Sequence, residues 1–228
     1  MILGVIFTLG SMLAGDMSAK FLHQEQPEKL AAYEWHFDTE SNADLVLFGS
    51  LDEKTQEVSG AVKIPGILSF LADNNTNTEV KGLNDFPEEL HPPMIVHYYF
   101  DLMVSMGVFC LVVSGAYVLT LVFKKLRKFT HSKPMLYGAL LTGPAAMLAI
   151  EFGWFLTEQG RQPWMVRGYL KVADAATQAG GLTLVTILFG LLYIVLIVTS
   201  AYVLIRMFRH KPAYKDVEAL ASERGEAE

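Results

Sequence analysis

The chain has 228 residues, of which 52% are hydrophobic, and its mean hydropathy of +0.31 is high for a soluble domain. Its formal net charge is −6, which disfavours a polyanion such as nucleic acid as a partner. The lone cysteine, Cys110, excludes a disulfide framework and a thiolate zinc site. These values indicate a membrane protein.

Four apolar runs occur along the chain. Three of them reach the roughly 20 residues that a helix needs to cross a bilayer, whereas the first, at residues 2–14, is too short. The run is followed by Asp16 and lacks the small-residue cleavage site of a signal peptide. We therefore interpret it as the end of a membrane helix whose beginning is missing. We therefore predict an all-α membrane protein with a partial transmembrane helix at 1–15 and full transmembrane helices at 94–123, 135–159 and 181–208.

Positive side chains gather in two segments, the link at 124–134 and the tail at 209–228, which predicts that both are cytoplasmic. The segments 16–93 and 160–180 then lie on the outer side of the membrane. The first of these holds 15 acidic residues against five lysines, a net charge of about −10, so it is no nucleic-acid surface.

The large outer segment contains the stretch QPEKLAAYE at residues 26–34. Pro27 suits the first turn of a helix, and the two alanines favour its continuation. Lys29 and Glu34 are five residues apart, about 140° around a helix, so one face cannot present both directly. The spacing alone leaves two readings open, a solvated amphipathic helix or two side chains that flank one ligand.

The span at 94–123 begins with HYYFDLMVSMG. Met103 and Met106 are three residues apart, and methionines in a membrane helix are ordinarily packing residues. His97 lies at the membrane boundary, where hydrogen bonding to the backbone explains it better than metal ligation does. Asp101 is an acid at the start of an apolar span, and its partner is open.

The span at 135–159 ends in GWFLTEQGRQPW. Gly160 and Pro163 favour the end of the helix, which puts Glu158 in its last turn. A carboxylate there faces the negative end of the helix dipole, at a cost of typically about 0.3–1 kcal/mol, so a compensating group is expected. Arg161 and a metal ion are both candidates. The alternative is an interfacial salt bridge flanked by Trp154 and Trp164 as membrane-belt residues.

GWFLTEQGRQPW resembles the W-x-x-x-E-x-G-R-Q-P-W signature of subunit I of the cytochrome bd-type quinol oxidases. The resemblance implies that Glu158 is an axial ligand of the high-spin haem b, beside haem d, and that Arg161, Trp154 and Trp164 belong to the haem environment. The F-x-x-M-V pattern of the earlier span is similar to that of the family as well, which makes Met103 the thioether ligand of the low-spin haem b. A thioether favours ferrous iron and raises the reduction potential.

QPEKLAAYE resembles the quinol-oxidising loop of the same family. The resemblance implies that Gln26, Lys29 and Glu34 bind quinol, with Glu34 as the proton acceptor and Lys29 as the group that holds a quinone oxygen. Asp101 departs from the family pattern, because some members carry arginine two residues before the methionine.

The resemblance covers only the C-terminal half of subunit I, over about residues 10–208. It implies a multi-pass protein of the bacterial or archaeal cell membrane, whose partners are a polypeptide that supplies the N-terminal half, subunit II, quinol, oxygen and lipid. Two b haems would be shared with the partner chain, which would hold most of haem d. No histidine lies within the apolar interiors of the spans, so the chain by itself should lack a six-coordinate haem b spectrum.

Either a split gene or a fragment would explain a half-length subunit. Without partners, Asp101 and Glu158 are expected to face lipid. Two other functions stay open from the sequence: a non-catalytic assembly subunit that retains the motifs, and a quinol oxidoreductase with an acceptor other than oxygen.

Overall fold

A computed structural model describes residues 1–177 and 179–210 of the chain, which forms two compact units, residues 1–176 and 177–228. The helices are α1 (Ile2–Glu25), α2 (Pro27–Tyr33), α3 (Ile67–Asp73), α4 (Val96–Val122), α5 (Lys133–Gly160), α6 (Val172–Ala175) and α7 (Leu182–His210). The strands are β1 (Glu40–Ser41), β2 (Leu45–Leu47), β3 (Ser50–Asp52), β4 (Glu57–Ser59), β5 (Val62–Ile64), β6 (Glu79–Val80), β7 (Trp164–Val166) and β8 (Leu170–Lys171).

Among the described residues, the four helices α1, α4, α5 and α7 are long and apolar enough to span a membrane. The predicted spans at 94–123, 135–159 and 181–208 match α4, α5 and α7 to within about two residues at each end. Their boundaries follow from composition, since about 20 apolar residues define each span.

The first helix differs from the prediction. It does not end near residue 15 but continues for 24 residues to Glu25, so it is a full-length candidate span. Asp16 interrupts the apolar run without interrupting the backbone, because Lys20 lies one turn further on with its amine nitrogen 2.5 Å from the Asp16 carboxylate. The helix ends at Gln26 because Pro27 lacks the N–H that would continue it and disfavours a helical residue before it.

Helices α4 and α5 form the main helix pair of the first unit. Small residues permit the close approach, since a Cβ added at Gly138 would lie 3.2 Å from Val113. The Cys110 thiol, buried as expected of a small hydrophobe, lies 3.5 Å from the Thr142 carbonyl across this interface. Helix α1 also packs against α4, where Gly4 faces Ser114.

The segment between α1 and α4 is not purely helical, in contrast to the all-α expectation. It carries three two-stranded antiparallel pairs, β1 with β6, β2 with β5 and β3 with β4, and the β7–β8 hairpin (residues 164–171) follows α5. Each strand is only two or three residues long, too short for the alternation of apolar and polar residues that identifies a strand in a sequence. Two small cores, one around Ala32 and Leu83 and one around Leu30 and Leu68, hold the segment together.

In the second unit, α7 is the helical element of the described residues 177 and 179–210. The basic residues Arg206 and Arg209 fall in its last two turns, where cations interact favourably with the helix dipole. Most of the predicted cytoplasmic tail at 209–228 lies outside the described residues.

Candidate functional site

A cavity of about 240 Å³ lies between α2 and the segment that follows α5. Its walls combine the two stretches singled out in the sequence, with Gln26 and Lys29 from the first and Arg161 and Trp164 from the second. A larger cavity of about 570 Å³ beside Met94 includes none of the predicted site residues. The smaller cavity is therefore the candidate site, because polar groups from two distant segments converge there.

Helix α2 approaches the end of α5 closely because Gly160 has no side chain. The Tyr33 ring lies against this glycine, so that a Cβ at position 160 would overlap the Tyr33 hydroxyl and lie 2.6 Å from Cε1. The hydroxyl donates to the Leu156 carbonyl at 3.4 Å. Gly160 thus serves a packing role in addition to ending the helix, and this contact puts α2 beside the GRQPW segment.

Lys29 is the half-buried cation of the cavity wall, with its amine nitrogen 5.7 Å from the centre of the Tyr33 ring. Burial lowers the pKa of Lys29, Glu28 raises it and Arg161 lowers it. The side chain can donate hydrogen bonds to an oxygen in the cavity, as the sequence predicted for a quinone oxygen.

Glu34 is at the other end of α2 and is only 2% exposed. Its Oε2 atom has no hydrogen-bond partner among the described residues. Burial, and then the Asp101 carboxylate, raise the pKa of Glu34 from its ordinary value of 4.5 to about 8. Glu34 does not line the cavity that contains Lys29, so the two side chains do not flank one space.

His97 and Asp101 attach the outer segment to the first turns of α4. The His97 Nδ1 donates to the Tyr33 carbonyl at 2.7 Å, and the Phe48 amide donates to Asp101 Oδ2 at 2.5 Å. His97 Nε2 lies 3.3 Å from the same carboxylate oxygen of Asp101 but is not aligned for a hydrogen bond. The backbone role considered for His97 is thus the one observed.

The position of Asp101 corrects one expectation. This residue is 2% exposed and faces neither lipid nor solvent, because the loop around Phe48 covers it. Glu158, in contrast, has a side chain that is 43% exposed in this unit.

Glu158 and Arg161 form an ion pair at the end of α5, three residues apart. The Trp154 ring lies one turn earlier on the same exposed face. A carboxylate paired with an arginine is an anionic oxygen donor, which stabilises ferric iron as a phenolate ligand does. Glu158 therefore fits as a haem ligand by donor type, and its partly exposed side chain is accessible to such a group.

Met103 is half-buried in the interface between α4 and α5. Its sulfur packs against Gly153, where an added Cβ would lie 3.1 Å away. A thioether is a known axial donor to haem iron. Met103 therefore fits as a haem ligand by donor type, whereas His97, the histidine of α4, is hydrogen-bonded to the Tyr33 carbonyl.

Sequence reasoning missed one ion pair at the cavity wall. The Arg167 guanidinium, in the β7–β8 hairpin, binds both carboxylate oxygens of Glu28 in α2 at 2.8 and 2.9 Å. The two residues are 139 positions apart, and neither stands in a pattern that indicates pairing, so no signal in a single sequence could have found the contact.

Comparison with known proteins gives consistent results. Residues 1–212 match the family model "Cytochrome bd terminal oxidase subunit I". A cytochrome bd menaquinol oxidase subunit I of Bacillus subtilis (strain 168) is 38% identical over 221 residues, which cover 96% of this chain and 49% of the relative. A cytochrome bd ubiquinol oxidase subunit 1 of the same organism is 32% identical, over 90% of this chain and 46% of the relative.

Among solved structures, the bd oxidase from Geobacillus thermodenitrificans superimposes with a TM-score of 0.79 at 50% sequence identity, covering 91% of this chain and 48% of that chain. The chain thus spans about half the length of the relatives that it matches. Its four apolar helices are those of a multi-pass membrane protein. The family match over nearly the whole sequence, together with the shared fold, means that this chain belongs to the cytochrome bd terminal oxidase subunit I family.

Proposed function

We propose that the chain is the part of a bd-type quinol:oxygen oxidoreductase that oxidises quinol and supplies one protein ligand to each of two b haems. The observation that carries the proposal is the cavity in which Gln26 and Lys29 meet Arg161 and Trp164. Two relatives, of which this chain covers 49% and 46%, are named menaquinol and ubiquinol oxidase subunits. Their names support the same substrate class here.

Quinol oxidation releases two protons with two electrons, so the reaction needs a group that binds quinol and a proton acceptor. Lys29 donates a hydrogen bond to a quinone oxygen in the cavity, and Gln26 adds a neutral polar contact. Glu34, which lies at the C-terminal end of α2 and outside this cavity, is the proton acceptor. Its pKa of about 8, close to the working pH, suits a general base that must also release the proton.

The haems, when bound, carry electrons one at a time from quinol to oxygen. Met103 supplies a thioether to the low-spin haem b, and Glu158 supplies a carboxylate to the high-spin haem b. Arg161 holds the Glu158 carboxylate through their ion pair, which orients it and tunes its donor strength. Trp154 and Trp164 belong to the surroundings of these groups.

The complete enzyme requires partners. A polypeptide with the other half of subunit I would share the b haems and hold most of haem d, and a second subunit would complete the complex. The positive residues at 124–134 and in the tail support a cytoplasmic position for those segments and the C-terminus. Quinol protons then leave on the outer side while oxygen reduction consumes protons from inside, so charge is separated without pumping.

Met103→Leu tests the haem assignment against its neighbour Met106→Leu on the same helix, three residues away. In membranes that contain the assembled complex, the reduced-minus-oxidised spectrum of Met103→Leu should lose the low-spin b band, while that of Met106→Leu should keep it. Leucine has nearly the volume of methionine, so packing against Gly153 is preserved in the variant. Two unchanged spectra would favour the non-catalytic assembly subunit instead.

A further inference from the structure

The β7–β8 hairpin is joined to α2 by one arginine. Arg167 Nε donates to Glu28 Oε1 at 2.8 Å, and its Nη2 donates to Glu28 Oε2 at 2.9 Å. Its Nη1 also donates to the Glu25 carbonyl at the end of α1. Two parallel hydrogen bonds from a planar guanidinium define both distance and angle, which a single contact does not.

This ion pair forms part of the cavity wall. Both Glu28 and Arg167 line the cavity, and Glu28 immediately precedes Lys29 in the first turn of α2. The hairpin begins with Trp164, which lines the same cavity. The pair therefore spans the two segments whose side chains meet in the candidate quinol site. Glu28 has a side chain that is only 12% exposed, so its carboxylate depends on Arg167 for compensation.

We propose that Glu28 and Arg167 are positioning residues for quinol, because their bidentate ion pair holds the hairpin against α2 and sets the shape and charge of the cavity around Lys29. This inference rests on the proposed function. Neither residue is among those to which the family resemblance assigns a role. They act through Lys29 and Trp164, not on quinol directly.

The charged groups around Lys29 allow the proposal to be tested through the pKa of this lysine. The groups that face its ammonium are the Glu28 carboxylate, the Arg161 guanidinium and the Tyr33 ring, with Arg167 acting on it through Glu28. Glu28 raises the pKa of Lys29. Removal of Glu28 should therefore lower this pKa, whereas removal of Arg167 leaves Glu28 uncompensated and should raise it. The two variants break the same contact and have opposite effects on Lys29.

The first measurement is steady-state quinol oxidation by the assembled oxidase in membranes, with a quinol that has a short isoprenoid tail. Arg167→Gln and Glu28→Gln should raise KM about 3- to 10-fold and change kcat less than about twofold. Arg167→Lys, which keeps the charge but not the bidentate geometry, should recover only part of the loss. The pH dependence of KM should shift to higher pH in Arg167→Gln and to lower pH in Glu28→Gln.

Lys171→Gln is the matched control. Lys171 is in the same hairpin, where it pairs with the exposed Glu89 at 3.5 Å and its amine nitrogen lies 5.7 Å from the centre of the Trp164 ring. Both contacts are weak, and neither joins the hairpin to α2. The KM of Lys171→Gln should stay within about twofold of the unmodified protein. If Arg167→Gln has the same KM as Lys171→Gln, or if the Arg167 and Glu28 variants shift the pH profile in the same direction, the proposal is wrong.

A second readout does not depend on activity. Amide hydrogen exchange of residues 164–171 in the detergent-solubilised chain should be about tenfold faster in Arg167→Gln and Glu28→Gln and nearly unchanged in Lys171→Gln. Unchanged exchange in the first two variants would overturn the positioning role even if their KM for quinol is raised. An unmodified complex that does not oxidise quinol would instead overturn the proposed function, so the two failures are distinct.

Discussion

Glu34→Gln is expected to lower quinol oxidation by the assembled complex at least about 100-fold, the usual contribution of a general base. Glutamine has the shape of the protonated carboxyl, and Glu34 is mostly protonated near neutral pH because burial raises its pKa to about 8. The variant should therefore fold and assemble normally. Oxygen uptake with a short-tail quinol as the electron donor measures the loss.

The same role for Glu34 predicts that turnover increases with pH. Only the ionised form of Glu34 can accept a proton, so kcat in the unmodified complex should rise with pH toward a midpoint near 8. Glu57→Gln, a change at an exposed acid of β4, is the control and should leave both rate and profile unchanged. Normal turnover in Glu34→Gln would exclude this residue as the proton acceptor.

Stability should depend on pH through the same group. Between pH 4.5 and 8 the folded chain holds the Glu34 proton and the unfolded chain does not, so the free energy of unfolding falls as pH rises through this window. The Tm of the solubilised chain should therefore decrease from pH 5 to pH 8. Glu34→Gln should flatten that decrease, and an equally steep decrease in the variant would contradict the raised pKa.

Gly160→Ala is expected to destabilise the first unit by about 1–3 kcal/mol, the usual cost of overpacking, and to impair quinol oxidation at the same time. The added Cβ would lie 2.6 Å from Tyr33 Cε1 and 2.8 Å from Cζ, so a rigid aromatic ring and the whole of α2 must move. Lys29 and Gln26 move with it, and the cavity opens. Thermal unfolding of the solubilised chain and KM for quinol are the two measurements.

Gly115→Ala in α4 is the matched control for this substitution. No atom outside its own helix lies within 4 Å of a Cβ built at Gly115. Alanine in a helix interior is favoured over glycine by about 0.5–1 kcal/mol, so the control should be neutral or slightly stabilising. If both substitutions have the same effect, the contact between Tyr33 and Gly160 does not determine how α2 packs on α5.

Individual residues show how far prediction from sequence extends. The start of α2 at Pro27 was predicted correctly, since it depends on the chemistry of a few adjacent residues. The end of α5 was predicted to within one residue, at 159, but Gly160 is the last helical residue and not a left-handed residue after the helix. The length of α1 was not predicted correctly. The apolar run stops before Asp16, but the helix continues to Glu25, and Asp16 is paired with Lys20 one turn further on. The strands of the outer segment were too short for a period to be visible.

The sequence alone determined the class of protein, three of its membrane spans and the two stretches that form the candidate site, because apolar run length and short motifs are local properties. Only the tertiary structure decided that Lys29 meets Arg161 and Trp164 in a cavity while Glu34 lies outside it. It also supplied partners for Asp101 and Glu28 that are 53 and 139 residues away along the chain. Such contacts depend on how distant segments pack, and no local pattern encodes them.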